Sequence, residues 1–326
     1  MDVGLILPDV DGVEPAEFAS RAEELGFESV WKPELWGENA LVELAAIAQR
    51  TEDVRLGTAI VNVFSRSPAV IAMGAASLDR LSDGRAAIGL GVSTPKAIED
   101  LHGLTYERPI RRTHETVELV RKFLAADGRV EYDGEVFSVA DFPALEADVP
   151  IYNAALGPAN RRATGRLCDG WLPHNVPQSH LEEAFAEIAD AARERGRDPE
   201  AITVAPWVHV AVSDDPAEAM DAVRGIVAYY VGSGEGYRKA VGAAYPTVAD
   251  RIASAWRDGD RDRARAHVTD ELVHDLGCAG TAEEVREELR ALADHPVIDT
   301  PLLNLPPGLE AEAVERTLEA IAPDRL

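Results

Sequence analysis

Short apolar runs alternate with segments of helical periodicity along the whole chain. Buried strands are predicted at Val3–Leu7, Ser29–Lys32, Val54–Val61, Arg85–Leu90, Pro150–Ala154, Gly170–Leu172, Thr203–Val212 and Thr300–Leu305. Between them apolar residues recur at i, i+3 and i+4. This predicts helices over Pro15–Leu25, Leu41–Arg50, Ala69–Leu81, Thr113–Ala125, Ala159–Leu167, Leu181–Arg195, Ala217–Tyr230 and Ala282–Leu292, with a last helix at Leu309–Ile321. Eight strands, each followed by a helix, are the count of a (β/α)8 TIM barrel. A doubly wound sheet shares the alternation, but even spacing and uniform composition favour one closed α/β barrel domain over residues 1–326. Two insertions interrupt the pattern: a hairpin at about 129–139, turning on Asp133-Gly134, and a segment at about 231–278. The second opens with the flexible string Gly232-Ser233-Gly234-Glu235-Gly236 and continues into charged helices. Long insertions on the active face of a barrel shape the substrate pocket.

The stretch Leu56–Pro68 carries the most chemistry. An apolar strand empties into the polar residues Asn62, Ser65 and Arg66. Ser67 then offers an N-cap and Pro68 fits the first helical position. A strand end facing free helix amides is the usual place for a ligand in an α/β protein. The strand Arg85–Leu90 ends similarly in Gly91-Val92-Ser93. A third such end is Ala154-Ala155-Leu156-Gly157-Pro158-Ala159-Asn160-Arg161-Arg162, whose small residues let backbone approach a ligand closely. Gly89-Leu90-Gly91 begins like a dinucleotide fingerprint but fails it, since Thr94 stands where the third glycine belongs.

Composition narrows the partners. The chain has 326 residues and a formal net charge of −26, with a pI near 4.6. Its only lysines are Lys32, Lys96, Lys122 and Lys239. Without a basic stripe to neutralise phosphates, nucleic acid is not an expected partner. No apolar run is long enough to span a bilayer, and no signal peptide is apparent. Self-repulsion of this size is screened in high salt, so the expectation is a salt-adapted, halophilic, cytoplasmic protein. The two cysteines, Cys168 and Cys278, suggest neither a disulfide framework nor a zinc site. The eight histidines form no metal-binding spacing, so no metal is expected.

The chain resembles the bacterial luciferase-like monooxygenase superfamily, and within it the branch that uses the deazaflavin coenzyme F420. The resemblance rests on Glu24-Leu25-Gly26-Phe27-Glu28-Ser29-Val30-Trp31, Leu56–Pro68, Leu78–Arg85, Ile88–Gly91 and Ala154–Gly170 with Trp171, in this order and spacing. It implies a barrel with the cofactor ring at the C-terminal mouth and hydride transfer at the ring's C5 position. It also implies a bulge around Ala59, Ile60 and Val61, often with a non-prolyl cis peptide, pressing on one face of the ring. The cofactor-binding set it implies is Ala59, Ile60, Val61, Asn62, Arg66, Gly91, Val92, Ser93, Ala154, Ala155, Leu156, Gly157, Pro158 and Arg161. Arg66, Arg161 and Arg162 would supply positive potential for the anionic tail. Many relatives carry an acid followed by histidine after strand two. Here Glu34 keeps the acid and Leu35 replaces the histidine, so the proton would come from Glu34, from His174 after strand six, or from water. His102 is a further candidate acid.

Methylene-tetrahydromethanopterin reductases are similar in outline, which suggests a methylene-tetrahydropterin or folate as the small-molecule substrate. Strand one, Gly4-Leu5-Ile6-Leu7, lacks the glutamate those reductases carry there. Two other readings stay open: an FMN-dependent monooxygenase on the same barrel, and a non-catalytic cofactor-binding protein. The resemblance also implies a homo-oligomer, a dimer, for which the apolar face of Leu41–Ile47 is suited.

Overall fold

The computed structural model describes residues 2–125 and 128–326. The strands are β1 (Gly4–Ile6), β2 (Ser29–Lys32), β3 (Arg55–Thr58), β4 (Val61–Asn62), β5 (Ala86–Gly91), β6 (Arg129–Asp133), β7 (Ser138–Pro143), β8 (Ile151–Asn153), β9 (Gly170–Trp171), β10 (Thr203–Val204), β11 (Trp207–Val212), β12 (Gly277–Gly280) and β13 (Leu302–Asn304). No helix among the described residues is long and apolar enough to cross a membrane. The chain divides into two compact units. One comprises Met1–Glu28, Pro173–Ala186 and Val204–Leu326, the other Ser29–Leu172 and Glu187–Thr203.

The second unit carries the parallel order β2-β3-β5-β8-β9, with β4 also pairing β5. Its strands are buried on both faces and read as nearly continuous apolar runs. The predicted strand Val54–Val61 is split in two, because Ala59 and Ile60 leave the ladder between β3 and β4. The helix after it begins as expected: Ser67 Oγ accepts from the Val70 amide at 3.3 Å and Pro68 opens the helix Pro68–Leu81. The hairpin extends past its predicted end, pairing β6 with β7 in antiparallel fashion to Pro143. Its turn is fixed from outside. The Glu115 carboxylate, fully buried, accepts from the backbone amides of Glu135, Val136 and Phe137 at 2.8–3.0 Å.

The first unit carries the parallel order β1-β13-β11-β12. Strand β12 was not predicted. Gly277-Cys278-Ala279-Gly280 is short and half glycine, which reads as a breaker. Gly277 is there for a close approach: a Cβ on it would lie 2.2 Å from the His209 carbonyl oxygen. The helical segment accordingly ends at Leu276, and the predicted insertion runs into a strand. Predicted strand Thr203–Val212 is interrupted at Ala205-Pro206, since Pro206 has no amide for a ladder.

The string Gly232–Gly236, expected as a flexible stretch, is mostly helical. The helix Pro216–Ser233 runs through Gly232, and Glu235–Gly242 begins one residue after Gly234. Gly232 serves packing: a Cβ would sit 2.3 Å from Trp256 Cγ. These helices, with Pro246–Arg257, Arg261–Ala266 and Asp270–Leu276, enclose an apolar cluster including Val223, Val227, Val241, Ile252, Leu272 and Val273.

Candidate functional site

In the second unit, three residues of one strand face two of its neighbour. Gly57 pairs with Ala87 and Val61 with Leu90, so Thr58, Ala59 and Ile60 lie opposite Ile88 and Gly89. That count is a β-bulge. The bond between Ala59 and Ile60 is cis. Thr58 replaces the missing ladder bonds: its Oγ1 accepts from the Gly89 amide and donates to the Gly89 carbonyl, both at 2.9 Å. A Cβ on Gly89 would lie 2.0 Å from the Thr58 carbonyl oxygen. Ile60 stays half-exposed and packs its Cδ1 and Cγ1 over Gly91, where a Cβ would come within 2.9 Å. Asn62 turns the chain after the bulge, its Oδ1 accepting from the amides of Phe64 and Ser65 at 3.0 and 2.8 Å. His102 Nε2 stands 3.4 Å from Asn62 Nδ2, which tethers the following loop to the same residue. In that loop Ser93 adopts φ +55° and, like Val92, is half-buried.

The third predicted strand end lies beside this bulge. The Ala154 amide donates to the Leu90 carbonyl at 2.8 Å. Trp171, fully buried, donates its indole N–H to the Ala155 carbonyl at 2.8 Å. Gly157 caps the helix Pro158–Leu167 without any side-chain hydrogen bond, and Gly157, Pro158 and Ala159 are exposed. The first amides of this helix are open to an acceptor. A Cβ at Gly157 would meet nothing within 4 Å. Two buried amide oxygens here, Asn153 Oδ1 and Asn160 Oδ1, have no hydrogen-bond partner.

The arginines are placed otherwise than expected. Arg66 and Glu34 form a bidentate pair at 2.5 and 2.7 Å, both side chains largely buried. Glu34 Oε2 also accepts from the Ala40 amide at 3.0 Å, so the acid holds the loop after β2 to the start of the helix Ala40–Ile47. Lys32, buried at the end of β2, ties the same loop through Glu38 at 2.8 Å. Arg161 pairs with Glu187 at 3.1 and 3.2 Å. Arg162 alone of the three arginines is exposed and makes no ion pair among the described residues.

His174 belongs to the first unit, apart from the other predicted residues. It stacks on Trp207 with centroids 4.3 Å apart and meets Tyr230 and Tyr237 edge to face at 4.4 and 5.2 Å. His209 lies beside it at 5.7 Å, bridging two amides: Nε2 donates to Asn175 Oδ1 at 3.1 Å and Nδ1 accepts from Asn304 Nδ2 at 3.0 Å. This network requires the neutral Nε2–H tautomer. Burial pushes His209 down to about 4. Burial, with the neighbouring His209, holds His174 well below the usual histidine range. Both rings are therefore neutral at pH 7. His174 Nε2 and Asn175 Nδ2 are buried without partners. The tyrosines and Trp207 were missed in the sequence, because they come from segments far apart in the chain. Among the described residues, no group of three or more His, Cys, Asp or Glu could hold a metal ion.

Comparison with known proteins places this geometry. The fold is that of the coenzyme F420-dependent tetrahydromethanopterin reductase from Methanopyrus kandleri, with a TM-score of 0.79 at 23% identity over 99% of this chain and 97% of that one. It is an α/β fold of the TIM-barrel type. Residues 12–298 match the luciferase-like monooxygenase family, and the chain belongs to that family. It is 32% identical over 306 residues to a Mycobacterium tuberculosis protein assigned as a coenzyme F420-dependent oxidoreductase, covering 84% of this chain and 86% of that one. It is 31% identical over 284 residues to the 5,10-methylenetetrahydromethanopterin reductase of Methanolobus tindarius, covering 86% of each.

Two outcomes follow for the ionisable groups. Replacing Glu34 by Gln strands Arg66 in a largely buried position and should cost about 3 kcal/mol in urea unfolding. Adding Arg66→Met should restore much of that loss, and additive effects in the double variant would show that the pair is not coupled. His209 has a folded pKa below its unfolded value of 6.5. Its contribution to stability is complete above about pH 6.5 and is lost as the pH falls toward 4, on the order of 3 kcal/mol in all. His209→Gln should therefore flatten the fall in urea midpoint across that window relative to the parent protein.

Proposed function

We propose that this protein is a coenzyme F420-dependent oxidoreductase that moves a hydride between the deazaflavin and a small organic substrate. The observation that carries the reading is the bulged ridge at Ala59–Ile60, held by Thr58 and Gly89 in a chain whose relatives include F420-dependent enzymes. The second unit suits such a group. The helix beginning at Pro158 offers uncapped amides and the unpaired Arg162 to an anionic tail, and Gly157 leaves open space. When bound, F420 supplies two-electron hydride chemistry and needs no activated oxygen. The backbone of Ala59 and Ile60 would support the ring, with Gly91, Val92 and Ser93 along its edge.

Glu34 holds the loop through three hydrogen bonds, which disfavours it as the proton source. The neutral cluster of His174, Trp207, Tyr230 and Tyr237 suits an uncharged portion of an organic molecule. Reductases of methylene-tetrahydromethanopterin match over most of the chain, yet β1 carries no carboxylate. The substrate proposal therefore stays with an uncharged, reducible carbon centre, a methylene-pterin among the candidates.

A homodimer through the helices Ala40–Ile47 and Pro68–Leu81 belongs to the same proposal. Leu41 packs into the space at Gly74, and Trp36, Val42, Val70 and Met73 are exposed around them. Two chains of charge −26 repel least where the surface is apolar. Sedimentation should give twice the chain mass, and Val42→Lys with Met73→Lys should halve it. A parent protein that sediments as one chain at high salt would remove the dimer.

Titration with F420 and with FMN tests the cofactor. F420 should bind at least about tenfold more tightly, a difference of about 1.4 kcal/mol. Tighter binding of FMN would overturn the assignment and favour the monooxygenase reading.

A further inference from the structure

Arg112 stands in the second unit between two aromatic rings. Its guanidinium carbon lies 4.9 Å from the centre of Phe64 and 5.1 Å from that of Phe137. Phe64 is in turn stacked on Tyr106, with centroids 5.0 Å apart and planes inclined by 18°. The three rings come from the segment after β4, the loop before the helix Pro109–Leu124, and the hairpin turn. A guanidinium over two ring faces at these distances is held by cation–π attraction, which leaves its N–H groups free for hydrogen bonding.

That edge has no protein partner. Arg112 makes no ion pair or hydrogen bond through its side chain among the described residues, and its Nε is buried with nothing to donate to. Other part-buried arginines of the second unit and beyond are engaged by the protein. Arg66, Arg121, Arg161 and Arg238 each hold a carboxylate, and Arg85 and Arg197 donate to backbone carbonyls. The acid nearest in sequence on the same helix, Glu115, is already engaged by three backbone amides and by Arg111 at 2.7 Å. Glu107 and Glu115 reach Arg112 only through space, while burial pulls its pKa below the usual arginine value. A half-buried cation pre-oriented by rings and lacking a counter-ion lacks one component of a charge-assisted pair.

We propose that Arg112 is the receptor for an oxyanion, a carboxylate or phosphate carried by a bound small molecule. The site consists of Arg112 with Phe64, Phe137 and Tyr106 as its walls. Of these residues, Phe64 lies on the same chain segment as the ridge, and its amide donates to Asn62 Oδ1. Two ligands carry such a group: the anionic tail of F420, which rests on the function proposed above, and an acidic substrate, which does not.

The experiment compares the parent protein with Arg112→Gln and Arg112→Lys. Inorganic phosphate should raise the melting temperature of the parent protein at constant ionic strength and should not raise that of Arg112→Gln. Arg112→Lys, which keeps the charge but not the planar fork of N–H donors, should be intermediate. A second arm titrates F420 against its chromophore lacking phosphate and glutamate. If the tail is the ligand, Arg112→Gln loses about tenfold or more in F420 affinity and leaves chromophore binding unchanged. If F420 affinity is unchanged while the phosphate response disappears, the oxyanion belongs to the substrate. Equal responses of parent and both variants to phosphate and to F420 would overturn the proposal. A parent protein that binds no F420 would remove the cofactor reading and leave the phosphate arm to decide on Arg112. Should Arg112→Gln fail to fold, Arg112→Lys carries both arms.

Discussion

A single threonine hydroxyl replaces a rung of the sheet. Where β3 and β4 separate, the backbone of Ala59 and Ile60 cannot bond to β5, and a buried gap in a parallel ladder leaves polar groups unpaired. Thr58 Oγ1 closes the gap by serving Gly89 as acceptor and donor together. The arrangement works only because Gly89 has no side chain to collide with the Thr58 carbonyl. From this pair the ridge projects Ile60 over Gly91, and the polar turn at Asn62 fixes Phe64 and Ser65. Ridge, turn and the aromatic wall at Phe64 therefore share one anchor.

Charge is organised with comparable economy. Arginines near the candidate site mostly neutralise carboxylates of the protein itself, as Arg66 does for Glu34 and Arg161 for Glu187. The positive groups left without protein carboxylates there are the first N–H groups of the helix after Pro158, the exposed Arg162, and Arg112 over its two rings. In the first unit, burial keeps His174 and His209 unprotonated. An acidic chain can present neutral or weakly positive sites when its carboxylates are paired or fall outside them.

Local signals were legible in the chain and long-range ones were not. Ser67-Pro68 announced a helix start, and Asp133-Gly134 a hairpin, because caps and turns are set by neighbours in sequence. The strands in the predicted positions formed with ends shifted by a few residues. The break at Ala59–Ile60 was legible only through resemblance, since a run of small and β-branched residues reads as continuous strand. Glycine misled twice. At Gly277 it permits a strand to touch His209, and at Gly232 it lets Trp256 sit against a helix. In both cases the reason for glycine is a residue far away in the chain. The same holds for Glu34, whose partner Arg66 lies 32 residues on, and for the rings around His174.

The hairpin β6–β7 is a separate two-stranded ribbon, and its turn is fastened by one carboxylate. Burial opposes the charge on Glu115, but three backbone N–H donors and Arg111 outweigh it and keep the carboxyl below the usual range. Phe137 rides on that turn and covers one face of Arg112. The ribbon is thus tied to the helix Pro109–Leu124, through Glu115 at its turn and through Tyr132, whose hydroxyl donates to Glu118 at 2.6 Å, and it shares no ladder with the parallel strands. Substitutions in such a ribbon alter the ring beside the guanidinium while the backbone bulge at Ala59–Ile60 keeps its own supports.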